Sequence, residues 1–169
     1  MTTFTSVMRS TENSYVSTLL TLISKTNLFL FLSANDAEIC QLAAIHGTEQ
    51  FNVYILPLHG VTPTAAAVNR LSVSHGRLFY DGKPVTAVQL DVAMQKFLNW
   101  LQSLTEPCLL LAHNAKLFDA KHLLKALEMS SKTEQFSEVV VGFCDTLPAF
   151  KELFPERKRS EERRVGKEC

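Results

Sequence analysis

The stretch from Leu109 to Leu127, LLLAHNAKLFDAKHLLKAL, holds the residues of this chain best suited to chemistry. An apolar run, Cys108 to Ala112, gives way to His113, Asn114, Ala115 and Lys116, and an acid, Asp119, opens a helical pattern. A run of that length between polar flanks reads as a buried strand. His113 and Asn114 then leave its carboxyl end, and Asp119 sits in the first turn of the next helix. Ligand sites of α/β proteins collect at that edge, and a carboxylate there offers the hard oxygen donor a divalent cation prefers. Asp119 has an equal second reading, complementing the positive end of the helix dipole for about 0.3–1 kcal/mol. His113 and Asn114 have one too, as polar groups bonding the loop backbone.

Two other places carry acids of interest. Asp36-Ala37-Glu38 forms an acidic pair at the entrance to an apolar segment, and Asp145 precedes Thr146-Leu147-Pro148. The position of Asp145 suits a helix N-cap or a loop anchor better than a metal ligand.

The elements that must position these residues follow from periodicity. Glu38 to Ile45 (EICQLAAI) and Phe51 to Leu56 (FNVYIL) read as neighbouring strands joined by a turn over 46–50. Thr62-Pro63-Thr64 opens a short Ala-rich helix, with proline near its start. Asn69 to Pro84 reads as loop with short extended pieces and a turn at Asp81-Gly82. Thr86 to Leu104 is the clearest helix: Thr86 with Gln89 fits a capping box, and Leu90, Met94, Phe97, Leu98 and Leu101 form one stripe. After the 108–112 strand a helix runs over 118–129 with Leu123, Leu124 and Leu127 inward. Glu138 to Cys144 is the next buried strand, and a helix starts at Asp145. Strand, strand, helix, strand, helix, strand, helix implies a mixed sheet with helices packed on it.

The chain has 169 residues, 46% of them apolar and 20% charged, with 17 basic and 17 acidic side chains. A chain of this size can bury a core without staples, and its neutral balance supplies no overall field for a polyanion. The cysteines, Cys40, Cys108, Cys144 and Cys169, are far apart and show no zinc spacing; they read as free thiols in a reducing compartment. Tyr15 to Ala34 is apolar enough to suggest a signal or membrane span, but Lys25 and Asn27 interrupt it. A lysine near a bilayer centre costs about 3 kcal/mol, so no membrane role is expected.

Both ends look foreign to the domain. Residues 1–35 are rich in Ser, Thr, Leu and Phe and read as a non-domain or misjoined lead. Arg159 to Cys169 (RSEERRVGKEC) matches the translation of a short-read sequencing adapter. Without this tail the balance is 13 basic to 14 acidic residues, so its basic groups are not read as a nucleic-acid patch.

EICQLAAI, FNVYILP, the Ala-rich helix, GRLFYDGKPV, LLLAHNAKLFD and CDTLPAFKELFP together resemble the DEDD-type 3′–5′ exonucleases, an RNase H-like group. The resemblance is greatest to the exonuclease-like domain attached to some promyelocytic leukaemia-type proteins, and it covers about Asp36 to Lys158. It implies an α/β, RNase H-like mixed sheet with flanking helices, incomplete at both ends. The expected division is a lead over 1–35, a truncated exonuclease-like domain over 36–158 and an artefact tail over 159–169. In that family four carboxylates hold two Mg²⁺ or Mn²⁺ ions that activate water and stabilise the leaving oxygen. Asp119 matches the acid of the second motif and is the one catalytic and metal-binding position that can be placed.

The departures weigh as much as the match. The family's first motif, DxE on the opening strand, has no counterpart in Asn27 to Asn35. Asp36 and Glu38 sit where the family has ordinary loop residues. The third motif, a histidine and an aspartate, is expected beyond Lys158. One carboxylate cannot position two dications, so the ions are not expected to bind stably and the chain as written is expected to be inactive.

Two functions remain: a fragment of a metal-dependent exonuclease acting on single-stranded DNA or RNA 3′ ends, or a non-catalytic module binding nucleic acid or protein. A chance match by an unrelated α/β domain is a weaker third. The nucleic-acid contacts implied are His113, Asn114 and Lys116. Cations and aromatics near the cleft are few (Lys116, Lys121, Arg70, Phe118, Tyr80), and Phe118 reads as core. Affinity should therefore be weak and salt-sensitive. The thiols and the resemblance favour the nucleus or cytoplasm.

Overall fold

The computed structural model describes residues 18–26 (as backbone), 38–104, 107–116 and 119–155. A six-stranded mixed sheet forms the centre. Its strands, in chain order, are β1 (Thr18–Thr26), β2 (Ile39–His46), β3 (Glu49–Ile55), β7 (Ala87–Val88), β8 (Cys108–Ala112) and β9 (Val140–Asp145), arranged β7-β3-β2-β1-β8-β9. β1, β2 and β3 form an antiparallel meander. β8 then pairs parallel with β1, and β9 pairs parallel with β8.

β1 falls within the 1–35 segment that the sequence reading set apart as a lead. Thr18–Thr26 lies between β2, with Thr21 opposite Ile45, and β8, with Thr18 opposite Cys108 and Thr21 opposite Leu111. Its apolar character suits a strand flanked on both sides. The rest of the lead, Phe118 and the 159–169 tail lie outside the described residues. Among the described residues no helix is long and apolar enough to cross a membrane.

Among the described residues five helices complete the order: α1 (Pro63–Asn69), α2 (Leu90–Ser103), α3 (Asp119–Met129), α4 (Thr133–Val139) and α5 (Thr146–Leu153). The stripe on α2 is as expected: Met94, Phe97, Leu98 and Leu101 are fully buried. Phe97 meets Phe51 of β3 with ring centroids 5.3 Å apart, which seats the helix on the sheet. β2 turns both faces to apolar partners. Leu42 and Ala44 enter the main core, whereas Cys40 joins Leu71 and Leu78 in a second cluster.

That second cluster belongs to a small antiparallel sheet of β4 (Leu71–Ser74), β5 (Arg77–Tyr80) and β6 (Lys83–Pro84), where the sequence suggested loop with extended pieces. The Thr86–Gln89 capping box does not form. Ala87 and Val88 pair with Tyr54 and Ile55, so α2 starts later, and Gln89 is an N-cap without a side-chain bond. On α3 the inward face is His122, Leu123, Ala126 and Leu127, while Leu124 is 42% exposed. Glu138 and Val139 close α4, and β9 begins at Val140.

Candidate functional site

β8 and β9 run in parallel register with Ala112 opposite Asp145. This brings the loop after β8 against the start of α5, at the edge the sequence singled out. Asp145 is the N-cap of α5, its Oδ1 accepting from the backbone N–H of Leu147 at 2.9 Å. The same Oδ1 accepts from the N–H of Asn114 at 2.9 Å, and Oδ2 accepts from the N–H of Lys116 at 3.1 Å. Asn114 takes a left-handed φ of 62°, which turns successive N–H groups toward this carboxylate. Asp145 is therefore both N-cap and loop anchor.

The loop turns Ala115 inward and presents His113 and Lys116 to solvent. His113 is exposed, with its Nδ1 3.3 Å from Thr146 Oγ1 and its ring edge-on to Phe150 at a centroid distance of 5.9 Å. Lys116 is exposed and Asn114 half-buried. Asp119 is half-buried at the first position of α3, where Ala120 N–H reaches back to the carbonyl of Ala115 at 3.0 Å. His113, Asn114, Lys116 and Asp119 thus lie on one loop and helix start, at the carboxyl end of β8.

Glu38, at the entrance of β2, is also engaged. Its carboxylate accepts from the backbone N–H groups of Leu58 (3.3 Å) and His59 (3.0 Å) and pairs with His59 Nδ1 at 3.3 Å. It fastens the loop after β3. Asp36 lies outside the described residues.

The first described strand is Thr18–Thr26, and the 27–35 segment in which the sequence reading sought the first motif lies outside the described residues. Thr21 lies beside Leu111, so the residues that continue toward the Asp119 loop are Leu22-Ile23-Ser24-Lys25-Thr26, without an acid. Among the described residues no three His, Cys, Asp or Glu side chains gather closely enough to hold a metal ion. A two-ion centre needs carboxylates bridging cations about 3.5–4 Å apart. Among the described residues the donors do not fit it, because Asp145 and Glu38 are committed to backbone N–H groups and β1 supplies no acid.

His122 went unnoticed in the sequence. It is 4% exposed on the inner face of α3. Burial, and then the charges of Lys121 and Lys125, hold its imidazole below the usual histidine range. Three of the four cysteines fall among the described residues, and none of the three is in a disulfide. Cys40 and Cys108 are buried, Cys144 is half-buried, and burial with Glu38 nearby pushes Cys40 up to about 12.

Comparison with solved structures shows the fold. A product-bound exonuclease I superposes with a TM-score of 0.64 at 15% identity, covering 84% of this chain and 33% of that one. Escherichia coli exonuclease I in complex with a dT13 oligonucleotide gives 0.62 at 15% identity, covering 83% and 31%. Among curated proteins, maternal protein exuperantia-1 of Drosophila pseudoobscura pseudoobscura is 27% identical over 121 residues, 64% of this chain and 24% of that protein. Maternal protein exuperantia of Drosophila virilis is 25% identical over 142 residues, 77% and 29%. The chain therefore spans under a third of these relatives' length. Kinship to promyelocytic leukaemia-type proteins is not shown; kinship to exuperantia is. Residues 36–163 match the Exuperantia RNAse H-like domain, and the chain belongs to that family.

Proposed function

We propose that this domain is a non-catalytic RNase H-like module that holds single-stranded nucleic acid at the carboxyl edge of its sheet without cutting it. The observation that carries the reading is the use made of the edge carboxylates. Asp145 and Glu38 bind backbone N–H groups of neighbouring loops, and β1, which runs parallel beside β8 toward the same edge, has no acid. Among the described residues this leaves Asp119, which by itself cannot neutralise two dications and fix an attacking water between them. Mg²⁺ or Mn²⁺ would therefore have no centre to assemble here, and phosphodiester hydrolysis would lose its source of charge stabilisation.

What remains at the edge suits a strand of phosphates. The exposed His113 and Lys116 project from one anchored loop, with Asn114 between them and the exposed Lys121 on the first turn of α3. Lysine makes a point-charge contact with phosphate, and a histidine ring offers a face to an unstacked base. The solved exonuclease I complex with dT13 gives the fold a precedent for a single strand. With few cations in place, binding is weak and falls with added salt.

Fluorescence anisotropy with labelled single-stranded RNA and DNA tests this reading. The expected result is salt-sensitive binding that weakens in Lys116→Glu, with the salt slope reduced by about 0.7 per lost phosphate contact. Lys116 anchors its loop through the backbone, so the substitution spares the Asp145 bond. No anisotropy change at low salt, or binding indifferent to Lys116→Glu, would count against the reading.

A further inference from the structure

A second concave site lies on the helix-covered face of the sheet. Its cavity of about 570 Å³ is enclosed by the start of β2, the end of β3, the start of α2 and the inner face of α3. Ile39, Ile55, Leu56, Leu90 and Ala126 give it apolar walls. Among its lining residues is His122, a polar side chain only 4% exposed. Cavities of a few hundred Å³ with apolar walls and few convergent polar groups are the usual form of small-molecule sites.

We infer that this cavity binds a small uncharged molecule with an apolar ring or short acyl body and one hydroxyl or amide group, which hydrogen-bonds to the His122 imidazole. This goes beyond the nucleic-acid reading and does not depend on it. Neither Asp119 nor the 113–116 loop lines the cavity. Burial and the flanking lysines keep His122 neutral, so the ring offers one donor and one acceptor. The lining carries Glu38 and Asp91 against Lys125, one net negative charge, which disfavours an anion, and its apolar walls disfavour burying a free charge of either sign. A hydroxyl or amide satisfies His122, and the walls take the apolar body from water.

Proton–carbon NMR of the full chain titrated with p-cresol, toluene and uridine tests the proposal. The expected result is that p-cresol shifts the His122 ring signals together with the Ile55 and Leu90 methyls, and binds more tightly than toluene. His122→Leu should weaken p-cresol by up to about 10-fold, the worth of one neutral hydrogen bond, and leave toluene unchanged. If that variant does not fold, the comparison of p-cresol with toluene on the unaltered chain decides alone. Equal affinity for both, or no shifts with either, overturns the inference. Uridine shifting these signals while p-cresol does not also overturns it, and marks the cavity as part of the nucleic-acid path.

Discussion

Asp145 reaches 31 residues back along the chain to hold Asn114, its Oδ1 accepting the Asn114 N–H at 2.9 Å. The bond locks the loop after β8 to the start of α5, and with it the outward placement of His113 and Lys116. A carboxylate with three backbone N–H partners is a structural group in this domain, although the position could have suited a metal ligand.

Asp145→Ala should therefore destabilise the domain by about 2–3 kcal/mol, since it leaves several half-buried N–H groups without an acceptor. Asp145→Asn retains a neutral acceptor and should cost about 1 kcal/mol. Urea unfolding monitored by circular dichroism measures both. Equal, near-zero losses would show that the loop does not need this anchor.

The thiol of Cys40 should resist alkylation. Its pKa is pushed up to about 12 by burial and by Glu38, and the thiolate is the reactive form. Peptide mapping after brief iodoacetamide treatment should find Cys40 unmodified in the native protein and modified in urea, with the half-buried Cys144 labelled sooner. The folded pKa lies above the unfolded one. The stabilisation from the buried thiol is thus complete below about pH 8.5 and declines as pH rises toward 12. Native labelling of Cys40 at the unfolded rate would contradict its burial.

His122 gives the opposite slope. Its folded pKa is lowered, so the unfolded chain takes up the proton first. Its contribution is present above the unfolded value of about 6.5 and is lost as pH falls below that value. Unfolding free energies measured across this window should fall toward acid, and His122→Leu should flatten that part of the profile. An unchanged profile in the variant would mean that another group controls it.

Removing residues 159–169 should shift stability by no more than about 0.5 kcal/mol, the usual range for exposed positions without a structural role. Thermal melting of the shortened and complete chains makes the comparison. A loss well beyond that range would show that the segment belongs to the folded domain.

The loop and helix around Asp119 were legible in the sequence because their signals are local: five apolar residues, a polar turn and an acid at a helix start. The α2 stripe was legible for the same reason. β1 was not, because TLLTLISKT shows neither alternation nor a turn at its ends, and only its two neighbours, β2 and β8, make it a strand. The capping box at Thr86 lost to the pairing of Ala87 and Val88 with β3, a long-range contact that no local motif reports. Asp145 was read correctly as cap or anchor, yet its partners depend on the parallel register of β8 and β9. His122 escaped notice because hydrophobicity drew the inner face of α3 through Leu124, whereas the helix turns His122 and Ala126 inward.

The most direct test incubates end-labelled single-stranded RNA and DNA with the purified protein and Mg²⁺ or Mn²⁺, and follows the labelled strand on a denaturing gel. The account predicts an intact strand at every time point, indistinguishable from the Asp119→Ala variant. Metal-dependent shortening from the 3′ end that disappears in Asp119→Ala would contradict it.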